Sequence, residues 1–282
     1  MSEKEIVEKI ESSKKYKAIY IKTIVRVVAN CILRFGDPTS LKLREARKIE
    51  KEAKNLLHQI WGAFYETRPD FNKILGKIEQ DIKSETEVKE IILSILKLQS
   101  SVEERIPILE EFYKKIFEIT GIPNSIIDHA CALNPLTISW MNLPGTTTYK
   151  AYDIDKDEIE FLKSVFRLLN NNYYSTTRSR VGEVIKFELG DLLVNEFEYA
   201  DVVFMLKLLP CLEHQKKNCS LEILKKQKCK FLVVSFPIKS IGGKEKGMCE
   251  FYRNSFKNMV SSEEWEIKEL VFDTELVYII KK

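Results

Sequence analysis

Three aspartates follow three successive strand-like runs in the second half of the sequence. Asp128 ends the run SIID, Asp153 lies in KAYDID, and Asp191 lies in LGDLL after the run EVIKFEL. A carboxylate at the end of a parallel strand can accept hydrogen bonds from ribose hydroxyls or from an adenine amino group. A single aspartate in such a place is more often a solvated turn residue. Three of them in chain order predict a site for a nucleotide-like ligand.

The loop after the first run reads DHACALNP and contains no glycine. Ala130 and Ala132 are small enough for a ligand to approach the backbone, but alanine lacks the freedom of glycine at positive φ. Pro135 suits the first turn of a following helix. His129 is bulky, and the sequence leaves open whether its side chain turns away from the pocket or blocks it. Taken alone, the loop is a weak indication of a cofactor site.

The second half of the chain alternates short β-rich runs with helical patterns. Seven strands are predicted at 125–128, 148–154, 183–189, 200–206, 230–236, 264–272 and 275–281, with helices at about 155–170, 211–227 and 249–260. Strands separated by helices predict right-handed crossovers and a mostly parallel α/β sheet. Only two residues separate the last two strands, which predicts an antiparallel hairpin. This layout is that of the class I, Rossmann-like methyltransferase fold.

The first 120 residues have a different periodicity. Apolar residues recur there at helical spacing, so we expect five or six helices. The predicted domains are a helical domain at 1–120 and an α/β domain at 121–282. Residues 1–60 contain 14 Lys and Arg against 8 Asp and Glu, a net +6 that leaves −3 for the remainder. This segment predicts a polyanion-docking module, although a solvated helix surface would carry the same charge.

Composition narrows the class of protein further. The 282 residues are 44% hydrophobic and 31% charged, as in a soluble globular protein. We find no apolar run of membrane-spanning length and no signal-peptide core at the start, so we expect a cytoplasmic protein. The six cysteines form no CxxC pair and only three histidines are present, which argues against a metal site or a disulfide framework. Cys131 and Cys211 are expected to be small core residues.

Two segments are distinctive of one protein family. FMLKLLP (204–210) ends the fourth strand and VVSFPIKSIGGKEKGM (233–248) follows from the fifth; LLHQIWGAFY, SSVEER, KAYDID and TELVYII also match. The sequence resembles the Arm/Rmt family of aminoglycoside-resistance 16S rRNA methyltransferases, which methylate N7 of guanosine 1405. The resemblance covers nearly the whole chain. It implies S-adenosylmethionine as cofactor and a helical N-terminal domain that docks on the small ribosomal subunit.

The resemblance also implies roles for individual residues. Arg105 would pair with the methionine carboxylate, Asp153 would hold the ribose hydroxyls, and Asp191 would frame the adenine together with Leu192. The implied cofactor-binding residues are Arg105, Asp128, Ala130, Asn134, Asp153, Ile154, Asp191, Leu192 and Leu206. The wall that positions the cofactor against the target base would comprise Leu206, Lys207, Leu208, Pro210 and Phe236.

Eight residues are implied in RNA contact. They are Lys14, Lys15, Lys22 and Arg26 in the basic segment, and Lys239, Lys244, Lys246 and Met248 after the fifth strand. For the first four, a solvated helix face is the alternative. Phe236 ends a strand at the presumed cleft, so stacking on the target guanine is a hypothesis for this residue. His58, Trp61 and Tyr65 are expected to be packed helix residues.

The reaction explains why no catalytic residue is assigned. Guanine N7 carries an in-plane lone pair and no proton, so its attack on a methyl group needs no general base and depends on positioning. We therefore expect an enzyme that acts on 16S rRNA within the assembled 30S subunit, as a monomer that uses neither DNA nor a membrane. The alternatives are a non-catalytic ribosome-binding protein with a degenerate methyltransferase domain, or an enzyme for another nucleotide.

Overall fold

The computed structural model describes residues 2–35, 42–62, 67–81, 85–169, 185–238 and 247–282. Its centre is one sheet of seven strands: β1 (Ser125–His129), β2 (Thr148–Asp153), β3 (Ile185–Leu189), β4 (Ala200–Leu206), β5 (Cys229–Pro237), β6 (Glu266–Val271) and β7 (Glu275–Lys281). The strand order is β3-β2-β1-β4-β5-β7-β6. Strands β1 to β5 pair in parallel, whereas β7 pairs antiparallel with β5 and β6. The predicted class I methyltransferase fold is confirmed.

Helices occupy most of the described N-terminal part. They are α1 (Glu3–Glu11), α2 (Ile21–Phe35), α3 (Leu43–Leu57), α4 (Phe71–Asp81), α5 (Glu85–Leu96), α6 (Ser100–Glu103) and α7 (Leu109–Thr120). A π-helical turn, His58–Gly62, extends α3. Ser2 and Glu5 begin α1 with a capping box, in which each side chain accepts from the backbone N–H of the other residue. The expected all-helical character of this part is confirmed for the described residues.

The buried hydrophobic side chains of the N-terminal helices belong to two clusters, and the division along the chain falls between Trp61 and Phe71. Buried side chains from Ile6 to Trp61 form a cluster of their own, which we call the N-terminal unit. Side chains from Phe71 onward, including those of α7, belong to the same cluster as one face of the sheet. Helices α4 to α7 therefore pack with the sheet rather than with the N-terminal unit. The domain boundary that the sequence places at residue 120 stays a prediction.

The remaining helices are α8 (Ile138–Met141), α9 (Lys156–Leu169), α10 (Leu209–Gln215), α11 (Ser220–Lys226) and α12 (Met248–Val260). The single helix predicted at 211–227 is wrong, since α10 and α11 are separate. Between them Asn218 adopts φ 60, and Glu213 accepts hydrogen bonds from the backbone N–H groups of Asn218 and Ser220. Helix α10 ends because Lys216 is already extended, at φ −147 and ψ 109, and the left-handed Asn218 then keeps the helix from resuming before α11.

The described part of the chain offers neither a membrane-spanning helix nor a cluster of metal-binding side chains. No helix among these residues is both long enough and apolar enough to cross a bilayer. No group of three or more His, Cys, Asp or Glu side chains in the described ranges is placed to hold a metal ion. All six cysteines are free thiols.

Candidate cofactor site

A cleft lies at the carboxyl ends of the central strands, where open α/β sheets bind their ligands. It encloses about 950 Å³ of space, part of which opens to solvent. Its wall includes the strand-end residues Ala130, Ala132, Asp153, Ile154, Asp191, Leu192, Leu206, Lys207 and Leu208. The helices before the sheet add Arg26, Ile60, Trp61, Gln99 and Ser101. The structure therefore brings together most of the residues that the sequence predicted for a cofactor pocket.

The loop after β1 reaches the cleft through two left-handed alanines. Ala130 has φ 50 and Ala132 has φ 47, so the loop takes the conformation expected of glycine although it contains none. Hydrogen bonds enforce it: the Cys131 N–H donates to the Tyr152 carbonyl at 3.0 Å, and the Ala132 N–H donates to the Asp153 Oδ2 at 3.0 Å. The strand ends thus compensate for the strain that a Cβ adds at positive φ.

Asp153 lies at the end of β2 in the wall of the cleft, as predicted. Its two oxygens accept from the backbone N–H groups of Ala132 and Asp155, each at 3.0 Å. Burial raises the pKa of Asp153 to about 6, although these hydrogen bonds oppose the rise. Each carboxylate oxygen offers about two acceptor positions. Asp153 therefore keeps acceptor capacity for a hydroxyl pair at neutral pH.

Asp155 joins three elements at one carboxylate. Its Oδ1 accepts from the N–H groups of Asp157 and Glu158 and so caps the first turn of α9. Its Oδ2 accepts from Trp61 Nε1 at 2.8 Å and from Arg68 Nη1 at 2.7 Å. The Arg68 guanidinium also lies 4.3 Å from the centre of the Trp61 ring. The N-terminal unit is therefore fixed to the strand end that carries Asp153.

Asp191 is paired with a cation in the wall of the cleft. Arg26 on α2 approaches its Oδ2 with Nε at 2.9 Å and Nη2 at 2.8 Å, and Nη2 also donates to Gln215 at 2.8 Å. The expectation that Arg26 contacts RNA phosphates is wrong for this structure, because its side chain is only 13% exposed and faces the cofactor site. Helical spacing alone did not distinguish this inward arginine from the exposed Lys22.

A buried polar network lies beneath the cleft. Arg105 donates from Nε and Nη2 to the two oxygens of Glu275, at 2.8 and 3.1 Å, and from Nη1 to Asn134 at 2.8 Å. Asn134 and Tyr149 both donate to Asp128, whose pKa burial raises to about 6. Burial alone would raise the pKa of Glu275, but the facing cations hold it below the ordinary value.

This network corrects three predicted contacts. Arg105, Asp128 and Asn134 are almost fully buried and lie outside the residues that line the cleft. The guanidinium fork that the resemblance assigned to the methionine carboxylate is occupied by Glu275. In this structure the three residues are joined by hydrogen bonds, from Arg105 to Asn134 and from Asn134 to Asp128, which link the two ends of the loop after β1.

Lys207 lines the cleft in a strained backbone conformation. Its backbone has φ 55, and its N–H donates to both oxygens of Ser235, Oγ at 3.1 Å and the carbonyl at 3.0 Å. Its Nζ donates to the Ser101 carbonyl at 2.9 Å and to Glu104 at 2.6 Å, and lies 3.4 Å from Glu275. A strained, non-glycine residue held by this many partners is typical of functional sites.

His129 is one of the residues that line the cleft, but its ring is packed against residues outside the cleft. Its Nε2 lies 3.0 Å from Gln227 Oε1, and the ring packs edge-on against Phe197 at 4.3 Å between centroids. Neither partner lines the cleft. Burial lowers the pKa of His129 to about 4, so the ring is neutral at physiological pH. The open question of the sequence is therefore answered in favour of a side chain that turns away.

The target-facing wall is only partly as predicted. Leu206, Lys207 and Leu208 line the cleft, while Pro210 lies in the first turn of α10 outside the lining residues. Phe236 is a core residue: it stacks on Tyr252 at 5.0 Å and is 4% exposed, so the guanine-stacking hypothesis is wrong. Its position at a strand end did not reveal that α12 covers it.

The expected RNA contacts fall into two groups. Lys14, Lys15 and Lys22 are exposed, and the first two border a groove with Lys17, His58, Trp61 and Arg68. His58 is exposed rather than packed, whereas Trp61 is buried as expected. Met248 begins α12 and is half-buried. Lys239, Lys244, Lys246 and Tyr65 lie outside the described residues.

The sequence did not indicate several residues of the site. Trp61 was assigned to the core, and Arg68 and Gln99 were not singled out. Gln99 accepts from the Leu133 N–H at 3.2 Å and lines the cleft. Cys211, expected in the core, also lines the cleft and is half-buried. Three of these four precede the sheet in sequence, and only the tertiary fold brings them to the strand ends.

Comparison with known proteins decides the family. A family model described as ribosomal RNA methyltransferase (FmrO) matches residues 12–279. The chain belongs to this family. A 16S rRNA (guanine(1405)-N(7))-methyltransferase of Proteus mirabilis is 33% identical over 99% of this chain and 96% of its own length. A protein of the same name from Micromonospora rosea is 31% identical over 99% and 96%.

Solved structures of rRNA methylases share the fold. RmtF in complex with S-adenosyl-L-homocysteine superposes with a TM-score of 0.74 at 25% identity, over 99% of this chain and 98% of RmtF. ArmA is 33% identical, with a TM-score of 0.59 over 76% of this chain and 99% of ArmA. The family that the motifs indicated is confirmed, and the similarity extends along the full chain rather than over the sheet alone.

Proposed function

We propose that this protein transfers a methyl group from S-adenosylmethionine to N7 of guanosine 1405 in 16S rRNA. The observation that carries the proposal is the cleft with Asp153 and Asp191 at successive strand ends, in a chain that matches rRNA methyltransferases from end to end. The relatives at 33% and 31% identity are named for this reaction. The same similarity supports catalysis rather than a purely structural role on the ribosome.

The residues of the cleft fit the cofactor. Asp153 offers a fixed acceptor for ribose hydroxyls, and the small side chains of Ala130 and Ala132 leave the backbone accessible. Ile154, Leu192 and the strand-end leucines give the cleft apolar surface on which an adenine can pack. When bound, S-adenosylmethionine supplies an electrophilic methyl group on a sulfonium sulfur.

The described residues position the reaction partners without a general base. Lys207 is committed to Glu104 and Ser101, and His129 is neutral and turned to Gln227. Guanine N7 carries a lone pair and no proton, so neither residue has to remove one. Leu206 and Leu208 line the cleft with apolar atoms and exclude water from the reacting groups. Catalysis on this account consists of holding cofactor and base in line.

The N-terminal unit would bring the substrate to this cleft. Lys14, Lys15 and Lys22 are exposed on it, and Lys17 shares the groove of the first two; Arg68 in the same groove is paired with Asp155 and Asp157. Clustered cations of this kind bind phosphates by releasing counterions. We propose that this surface docks on the assembled 30S subunit, that the enzyme works as a monomer, and that it acts in the cytoplasm where the subunit is found.

The proposed product predicts a resistance phenotype. A methyl at N7 removes a hydrogen-bond acceptor and makes the base cationic, which disfavours a cationic aminoglycoside in the decoding site. We expect a susceptible bacterium that expresses the gene to resist kanamycin- and gentamicin-type drugs, and its 16S rRNA to carry 7-methylguanosine at position 1405. A normal drug response with unmodified guanosine 1405 would refute the proposal.

Binding of the demethylated cofactor tests the non-catalytic alternative. Calorimetric titration with S-adenosylhomocysteine should show one site per chain, and Asp153→Asn should weaken it. A degenerate, ribosome-binding domain would bind the RNA and give no heat with this ligand. An enzyme for another nucleotide would bind the ligand normally but place the methyl elsewhere in the mapped rRNA.

A further inference from the structure

The N-terminal unit provides one wall of the cleft as well as the proposed docking surface. Arg26, Ile60 and Trp61 all line the cleft, although their neighbours pack in a hydrophobic cluster separate from the sheet. Two backbone hydrogen bonds of 2.7 Å, from Tyr20 to Ile154 and from Lys156 to Ala18, attach this unit to the end of β2. The cofactor site is therefore incomplete without the N-terminal unit.

Arg26 is the polar part of this wall. Its guanidinium holds Asp191 Oδ2 through both Nε and Nη2, and Gln215 keeps the fork in place from the other side. The backbone N–H of Leu193 donates to the second oxygen, Oδ1, at 2.9 Å. The carboxylate is 5% exposed and is fixed from two directions.

These contacts leave Asp191 with acceptor capacity for a ligand. A carboxylate has about four acceptor positions. The Arg26 Nε donates to Oδ2 and the Leu193 N–H donates to Oδ1, while Nη2 lies 2.8 Å from Oδ2 as an ion-pair contact. Each oxygen thus has one hydrogen-bond donor from the protein, and an acceptor position is left for one N–H of an adenine amino group. A 6-oxo purine would instead place an oxygen against the carboxylate, which is repulsive.

We propose that Arg26 is a positioning residue of the cofactor site, which holds the Asp191 carboxylate in place with an acceptor free for a ligand and so sets selectivity for the 6-amino purine. The inference rests on the proposed function and extends it: the N-terminal unit contributes to the recognition of the cofactor as well as of the RNA. Arg26 is assigned to act through Asp191, because its Nε donates to Asp191 and its Nη2 lies against Asp191 and donates to Gln215.

The test is calorimetric titration of the full-length protein with two ligands. One is S-adenosylhomocysteine and the other is the analogue in which a 6-oxo group replaces the 6-amino group. Arg26→Gln should weaken binding of the adenosyl ligand at least about ten-fold, since it removes a charge-assisted contact to a buried carboxylate. It should weaken the 6-oxo analogue much less, so the selectivity ratio falls. Arg26→Lys should lie between wild type and Arg26→Gln.

Matched variants separate this role from general damage. Arg34→Gln removes an arginine of the same helix that pairs with Glu52 at 3.1 Å and is 56% exposed, and it should leave both affinities unchanged. In methylation assays Arg26→Gln should raise the KM for the cofactor and leave kcat near wild type. If Arg26→Gln does not fold, Gln215→Ala can be tested instead. It removes the hydrogen-bond acceptor of Arg26 Nη2 and should also lower the selectivity ratio.

The outcomes distinguish this inference from the proposed function. If the wild type binds no S-adenosylhomocysteine, the proposed function fails. If the wild type binds and Arg26→Gln keeps the wild-type selectivity ratio, the role of Arg26 is refuted while the function stands. An equal loss for both ligands in a folded Arg26→Gln protein also refutes it, because Asp191 would then not be the residue through which Arg26 acts.

Discussion

Replacing Ala130 by glycine should stabilise the protein, although alanine-to-glycine changes usually destabilise. The loop after β1 holds Ala130 at φ 50, where an L-residue with a Cβ is strained and glycine is not. The neighbouring Cys131 N–H is tied to the Tyr152 carbonyl at 3.0 Å, so the backbone cannot relax to negative φ without losing that hydrogen bond. The same argument applies to Ala132 at φ 47.

The size of the effect follows from two opposing contributions. A left-handed conformation costs an L-residue roughly 1–2 kcal/mol. Removing this strain stabilises the folded state. Glycine also gives the unfolded chain more conformational entropy, which reduces the gain in stability by roughly 0.4–1 kcal/mol. Ala130→Gly should therefore raise the free energy of unfolding by about 0.5–1 kcal/mol, and Ala132→Gly by a similar amount. The two changes share one loop, so they need not be additive.

Urea denaturation of the wild type and the variants measures this difference at equilibrium. Ala29→Gly is the matched control, because Ala29 lies within α2 and the same substitution there should cost about 1 kcal/mol. The two substitutions are expected to change the free energy of unfolding in opposite directions. The comparison therefore does not depend on small errors in the extrapolation to zero urea. If Ala130→Gly lowers the free energy of unfolding as Ala29→Gly does, the left-handed loop is not strained and the reasoning is wrong.

Further predictions concern the buried ion pair, pH and the basic surface. Arg105→Met should lower the free energy of unfolding by about 3–5 kcal/mol, since it leaves Glu275 buried without its main partner. In denaturant titrations, the double variant with Arg105→Met and Glu275→Leu should recover much of this loss. Affinity for S-adenosylhomocysteine should fall as pH drops below about 6, because burial raises the pKa of Asp153 to about 6 and ribose hydroxyls bind its ionised form. Lys14→Glu with Lys15→Glu should weaken binding to the 30S subunit and reduce its salt dependence in filter-binding assays.

Each of these has its own control. A double variant of the ion pair as unstable as Arg105→Met would show that the loss is not due to an unpaired Glu275. Asp153→Asn should bind the ligand weakly and without the pH dependence, and a wild-type affinity that is constant from pH 7 to pH 5 would contradict the role of Asp153. Lys114→Glu, on the exposed side of α7, should leave 30S binding unchanged. Unchanged binding of the double lysine variant would refute the docking surface.

The strand ends were predictable because their signals are local. Alternating runs place Asp153 and Asp191 after parallel strands, and the carboxyl ends of such strands meet at one edge whatever the details of packing. Asp155 carries its own helix-capping signal, and the structure shows that bond. The short apolar runs likewise set β4 and β7 to the residue. Local spacing was sufficient wherever the backbone itself determines the position.

Other roles depended on partners far away in the sequence. Arg26 and Lys22 lie one helical turn apart, and only the contact with Asp191, 165 residues later, separates the inward side chain from the exposed one. Arg105 was expected at the cofactor, yet Glu275 lies 170 residues away in sequence and takes its fork. Phe236 was expected to face the target, but α12 covers it. A single sequence contains no local sign of these pairings.

The central claim is methyl transfer to one atom of one nucleotide. Purified protein can be incubated with S-adenosylmethionine and unmodified 30S subunits, and 7-methylguanosine can be located by chemical cleavage of the rRNA followed by primer extension. The account predicts a single new stop at guanosine 1405 that is absent without the cofactor and strongly reduced with Asp153→Asn. No stop at position 1405, or a stop at a different nucleotide, would contradict it.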